Sequence, residues 1–145
     1  MDLEAKLYRE GFVVSSKQRR FGAYVVDKMI ISLLVFGYFF DQFGDDFIQN
    51  LKTTVVLVAV FGCLEVLYNT AFISVYGKSV GKMVFRIRVV DIYLFDNPTL
   101  QSAFFRSCVK IGSEIMFGLG ILYIYNNNLN QTFYDEISKV VNIDE

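Results

Sequence analysis

Residues 53–76 read TTVVLVAVFGCLEVLYNTAFISVY, a run in which Glu65 is the only charge and Asn69 the only amide. As an α-helix this stretch extends about 36 Å, beyond the roughly 30 Å of a bilayer's hydrocarbon core. Its opening residues, Thr53, Thr54, Val55 and Val56, would favour a strand in water. Length favours a helix, because in lipid only helices and closed barrels satisfy their own backbone. Residues 53–76 therefore predict a membrane span, and the rest of the chain is read around it.

Upstream, residues 21–40 form a second apolar run, about 30 Å long as a helix. Residues 1–20 before it are polar and charged, and no small-residue cleavage site follows it. An uncleaved anchor is expected rather than a signal peptide. Downstream, residues 100–125 start amphipathic, with Arg106, Lys110 and Glu114, and become apolar from Ile115 with Gly118 and Gly120 inside. This third segment either crosses fully or folds back near Gly118–Gly120. The expected fold class is an all-α membrane protein: a small bundle of about three transmembrane segments, the third possibly a bent or re-entrant hairpin, with a short extended surface loop. In domain terms, residues 1–20 form an amino-terminal segment, 21–143 a transmembrane domain, and 126–145 a tail.

Basic residues set the expected orientation. Lys17, Arg19 and Arg20 precede the first span and Lys78, Lys82, Arg86 and Arg88 follow the second, whereas the loop between them carries Asp41, Asp45 and Asp46 against Lys52. The amino terminus and the 77–98 loop are expected on the cytoplasmic side. Within that loop Phe85, Ile87 and Val89 alternate with Arg86 and Arg88, which predicts a short strand or an extended stretch on the membrane surface. Its basic residues, Lys78, Lys82, Arg86 and Arg88, would meet anionic lipid headgroups. Asp96, Asn97 and Pro98 supply turn chemistry before the third segment.

The 145 residues are 54% hydrophobic, carry a net charge of -1 and include no His. One domain is the natural count. The charge gives no argument for nucleic-acid binding, and without imidazole the Ser-His-Asp, Cys-His and HExxH chemistries are closed. No enzyme and no cofactor or metal site is expected. Gly77-Lys78-Ser79-Val80-Gly81 matches a nucleophile-elbow pattern but lacks its His, and Met83 stands where a phosphate loop needs Ser or Thr. It reads as a glycine-rich exit from the second span. Cys63 and Cys108 show no CxxC spacing and read as small buried packing residues.

The ionisable residues inside the apolar segments are more informative, since a charge at membrane depth must face protein or water. Asp27, Lys28, Glu65, Arg106, Lys110 and Glu114 comprise three acids and three bases, a set that can neutralise itself. Arg20, Ala23, Tyr24 and Asp27 share one helix face, with Asp27 about 10 Å deeper than Arg20. Direct pairing between those two is strained, so a base from the third segment or an acid from the tail should join them. Glu65 and Asn69 share a face with Gly62, which could admit a neighbouring helix. Arg106 and Lys110 could then meet Asp27 and Glu65.

Assembled, these residues resemble the RDD family of small bacterial membrane proteins, named for one Arg and two Asp. The opening R-x-x-A-x-x-x-D pattern is Arg20, Ala23 and Asp27. The loop pattern G-x-x-x-GK-x-x-x-x-x-R-V-V-D is Gly77, Gly81-Lys82 and Arg88-Val89-Val90-Asp91. An arginine early in the third segment is Arg106, and the closing Q-T-x-x-D-x-x-x-x-V-V is Gln131-Thr132, Asp135 and Val140-Val141. The likeness runs from Lys17 to Ile143. Family tails usually read His-Asp where this chain has Tyr134-Asp135, so a titrating histidine does not carry over.

The resemblance implies a membrane protein for which transport, including cation or proton exchange, has been suggested. The expectation is transport of a cation, proton or small solute through buried carboxylates, with Arg20, Asp27 and Asp135 as family motif and Asp27, Glu65, Asn69, Arg106, Lys110 and Glu114 as the charged path. The alternative is a non-transporting structural or accessory protein whose charges fix packing. Partners would be the lipid bilayer and a homo-oligomer or membrane partner. If the tail returns to the cytoplasmic face, Asp135 would pair with Arg20.

Overall fold

The computed structural model describes residues 3–116, 123–126 and 129–145. A short helix α1, Leu3–Arg9, is followed by the long helices α2, Lys17–Phe39, and α3, Phe47–Tyr76. The short helix α4, Val80–Val84, leads into strand β1, Ile87–Asp91, and helix α5 covers Leu100–Ile115. Helix α6, Phe133–Ile137, and strand β2, Val140–Asp144, complete the chain.

Each long helix starts where a side chain can accept from its orphan N–H groups. Ser16 caps α2 through the Arg19 N–H, Asp46 caps α3 through Ile48, and Thr99, just after Pro98, caps α5 through Ser102. Helix α3 ends at Gly77, whose φ of 69° is the left-handed conformation of a glycine stop. Two helical stretches, Lys17–Gln42 and Phe47–Tyr76, are long and apolar enough to cross a membrane. The second begins six residues before the predicted span, at the cap that Asp46 supplies.

Of the third segment, the described residues contain one α-helix. Helix α5 has 16 residues, about 24 Å, short of the roughly 20 residues that a span needs. It buries Ala103, Arg106, Ser107, Lys110 and Ser113 along one face against α3, while Phe104, Phe105 and Ile115 point outward. The expected bend at Gly118–Gly120 lies outside the described residues.

The all-α expectation needs correction. Strands β1 and β2 pair antiparallel, with Val89 opposite Asn142 and Val90 opposite Val141. The alternation in the 77–98 loop thus belongs to a sheet closed by the tail rather than to a lone stretch on the membrane surface, and Met83 and Val84 belong to α4. One face of this ribbon packs Val90, Val141 and Ile143 on Leu7 of α1. The other places Val89 and Val140 against Ile73 and Ala103, at the ends of α3 and α5. A third cluster, Ile31, Val35 and Phe39, holds α2 on α3 deeper in the bundle. Cys63 and Cys108 are exposed on the outward faces of α3 and α5, so the packing role expected for them does not hold.

Candidate functional site: buried charge layers in the bundle

The inward stripe of α2 contains Arg20, Ala23 and Asp27, the i, i+3, i+7 spacing that brings residues to one helix face. Around it the chain builds three linked polar clusters.

The outermost centres on Asp135, 1% exposed, at the third position of α6. Both Nε and Nη2 of Arg106 approach its Oδ1, at 2.7 and 2.6 Å. Its Oδ2 accepts from the Asn142 amide at 2.8 Å and from the Thr132 N–H at 3.3 Å, and lies 3.7 Å from Arg20 Nη1. Burial alone would raise this carboxyl, but the charges of Arg106, Lys82 and Arg20 prevail and hold it at about 2. The rest of the Arg20 guanidinium donates to Ser15 Oγ and to the carbonyls of Asn130 and Asn142. An acid from the tail therefore does reach Arg20, as anticipated, although its shorter contacts go to Arg106.

Among the described residues Asp27 pairs with no base. Its Oδ1 accepts from the Tyr68 hydroxyl and the Gly81 N–H, both at 2.7 Å, and its Oδ2 from Ser79 Oγ at 2.5 Å. The expected contact with Arg106 is not made, because α6 presents Asp135 to that arginine first. The glycine-rich exit is thus a docking loop for α2 as well as a helix stop. A Cβ on Gly81 would stand 2.1 Å from the Ala23 carbonyl oxygen. Sequence reasoning passed over Ser79 and Tyr68; the signal for Ser79 was a hydroxyl flanked by two glycines, which lets the backbone come close.

The deepest cluster centres on Glu65, 2% exposed in α3. Lys110 of α5 meets its Oε1 at 2.7 Å, and Lys28 of α2 meets its Oε2 at 2.5 Å. Lys28 also pairs with Glu114, and both lysines lie over the Tyr24 ring. The pairing of Lys110 with Glu65 matches the sequence reading. Asn69 is buried beside Glu65 but donates to its backbone carbonyl, not its carboxylate. Gly62 has open space where a Cβ would stand, with no helix packed on it among the described residues.

The loop basics divide. Arg86 is exposed, whereas Arg88 donates to Asn97 at 2.8 Å and Lys78 pairs with Glu145. Lys82 turns inward and donates to Asn142 Oδ1 at 2.6 Å. Desolvation, aided by Arg106 and Arg20, pushes its pKa well below the ordinary lysine value. A cavity of about 40 Å³ lies where Arg20, Asp27, Lys82, Arg106, Lys110 and Asp135 converge.

One arginine and two aspartates, on α2 and α6, thus hold the tail and the loop to the start of the first long helix. A family model for the RDD family matches residues 14–139. The chain belongs to the RDD family. It is an RDD protein of membrane type, with two apolar helices long enough to span a bilayer. No curated protein and no solved structure matches it. In RDD terms, Arg20 and Asp135 share the outer cluster, while Asp27 makes the separate lock onto the Ser79–Gly81 loop.

Proposed function

We propose that this RDD protein is a multi-pass protein of the bacterial inner membrane that exchanges a monovalent cation or proton at Glu65. The observation that carries the proposal is the clamp on Glu65: one buried carboxylate between ammonium groups from two other helices, with Lys28 shared by Glu114. The four charges sum to zero, which keeps the cluster tolerable at membrane depth. Entry of a cation at the carboxylate must be balanced by the departure of one positive charge if the cluster is to stay neutral. Where that charge is a proton, cation entry is coupled to proton release.

The amino terminus and the 77–98 loop are cytoplasmic in this proposal, on the strength of Lys17, Arg19 and Arg86 at one end against Asp41, Asp45 and Asp46 at the other. Arg86, exposed, is the loop arginine free to meet anionic headgroups. Outward-facing Leu33, Leu34, Val55, Val58 and Leu67 suit contact with lipid or with a second copy. So few helices enclose no pathway alone, so transport is the work of a homo-oligomer or of a complex with a membrane partner. No enzymatic role is proposed.

The test is purified protein in liposomes carrying a proton gradient, challenged with sodium, potassium or lithium. Wild-type protein should dissipate the gradient with at least one cation, and Glu65→Gln should abolish that flux while inserting normally. Absence of flux with every cation would support a second reading, a structural or accessory role. That reading is favoured by the cage around Asp27, whose oxygens are occupied by neutral donors from α3, from Ser79 at the α3–α4 junction and from Gly81 in α4.

A further inference from the structure

Among the described residues, the polar interior holds five cations, Arg20, Lys28, Lys82, Arg106 and Lys110, against four carboxylates, Asp27, Glu65, Glu114 and Asp135. Lys28 and Lys110 are matched by Glu65 and Glu114, and Arg106 by Asp135. Arg20 and Lys82 remain, with Asp27 as the only acid to offset them. Arg20 spends its guanidinium mostly on neutral acceptors. Among the described residues no carboxylate lies within ion-pair distance of the Lys82 ammonium, whose bond is to the Asn142 amide oxygen. Asp27 likewise lies in no ion pair there, its oxygens taken by Tyr68, Ser79 and Gly81.

We propose that the cavity between Lys82, Arg20 and Arg106 binds one small monovalent anion of halide size, which offsets this surplus positive charge. Three observations converge on it. The surplus is one charge, and an uncompensated charge away from bulk water is costly. The cavity lies where the surplus is, lined by four cationic side chains against two carboxylates. Its volume of about 40 Å³ exceeds the roughly 10–15 Å³ that one water-sized occupant needs, so it has room for a monatomic anion. The rival way to remove the surplus is loss of the Lys82 proton, the direction in which its desolvation pushes it. A neutral Lys82 leaves no charge for an anion to offset, so the two alternatives predict opposite halide responses. The proposal does not depend on exchange at Glu65.

The experiment compares purified wild-type protein in detergent with sodium chloride, bromide, gluconate or sulfate at fixed ionic strength. The proposal predicts a saturable rise of the thermal unfolding midpoint in chloride and bromide and no saturable rise in gluconate or sulfate, sulfate giving only its general, unsaturated salt effect. It also predicts broadening of the chloride-35 resonance that bromide reverses. In Lys82→Met the halide-specific rise should vanish and chloride affinity should fall at least tenfold, while the variant unfolds as cooperatively in gluconate as the wild type does. Equal midpoints in chloride and gluconate with no broadening would overturn the proposal, as would a halide response that survives in Lys82→Met. Should Lys82→Met fail to fold, Lys82→Gln and the wild-type resonance titration decide in the same way.

Discussion

At the scale of single residues, Asp135 is the charge on which the outer cluster rests. Removing one partner of a buried ion pair leaves the other unpaired, at a cost of about 3–5 kcal/mol. Asp135→Asn should destabilise by about that amount, read as a lower unfolding midpoint in detergent, because Arg106 keeps its charge at 3% exposure. The pH dependence has a definite sign. With its pKa held at about 2, below the ordinary carboxylate value near 4, Asp135 contributes stability that is complete above about pH 4. That contribution is lost as pH falls through about 2, and Asp135→Asn should remove that acid limb from a plot of midpoint against pH. The sequence made Arg20, Asp27, Glu65 and Asp135 conspicuous, since charges amid apolar runs must find partners. It did not assign those partners, because Arg106 is near enough in sequence logic to both Asp27 and Asp135. Only the placement of α6 gives it to Asp135.

At the scale of elements, the docking of α4 on α2 depends on two glycines that differ in kind. A Cβ at Gly81 would meet backbone, the Ala23 carbonyl oxygen, which cannot move without shifting α2. At Gly22 it would meet the Phe85 ring tip at 2.5 Å, and a ring end can turn aside. Gly81→Ala should therefore cost about 1–3 kcal/mol and disturb the Gly81 N–H bond to Asp27, whereas Gly22→Ala should cost clearly less. Paired thermal unfolding of the two variants checks this, and equal losses would contradict it. The two long helices were legible from length and hydropathy. The β1–β2 ribbon was half legible: alternation at Phe85, Ile87 and Val89 announced one strand, whereas the short alternation from Val141 to Asp144 in its partner was passed over. Pairing between residues so far apart in sequence is set by topology rather than by local pattern.

At the scale of the whole molecule, the tail returns to the end of the bundle where α2 begins. Asp135 reaches Arg106 and Arg20, β2 pairs with β1, and Val14 bridges Ile143. The loop at Asp45 lies at the opposite end of α2, about 35 Å away along a helix of 23 residues. This arrangement brings the chain's charged layers together at one end, above the Glu65 cluster. It is tested most directly by sidedness. With Cys63 and Cys108 replaced by Ser, single cysteines at the exposed positions Glu4, Asp45 and Glu136 are probed with a membrane-impermeant thiol reagent in intact spheroplasts. The account predicts that Glu4→Cys and Glu136→Cys behave alike, protected until the membrane is opened, while Asp45→Cys labels at once. Labelling of Glu136→Cys together with Asp45→Cys, with Glu4→Cys protected, would put the tail on the far side and contradict it.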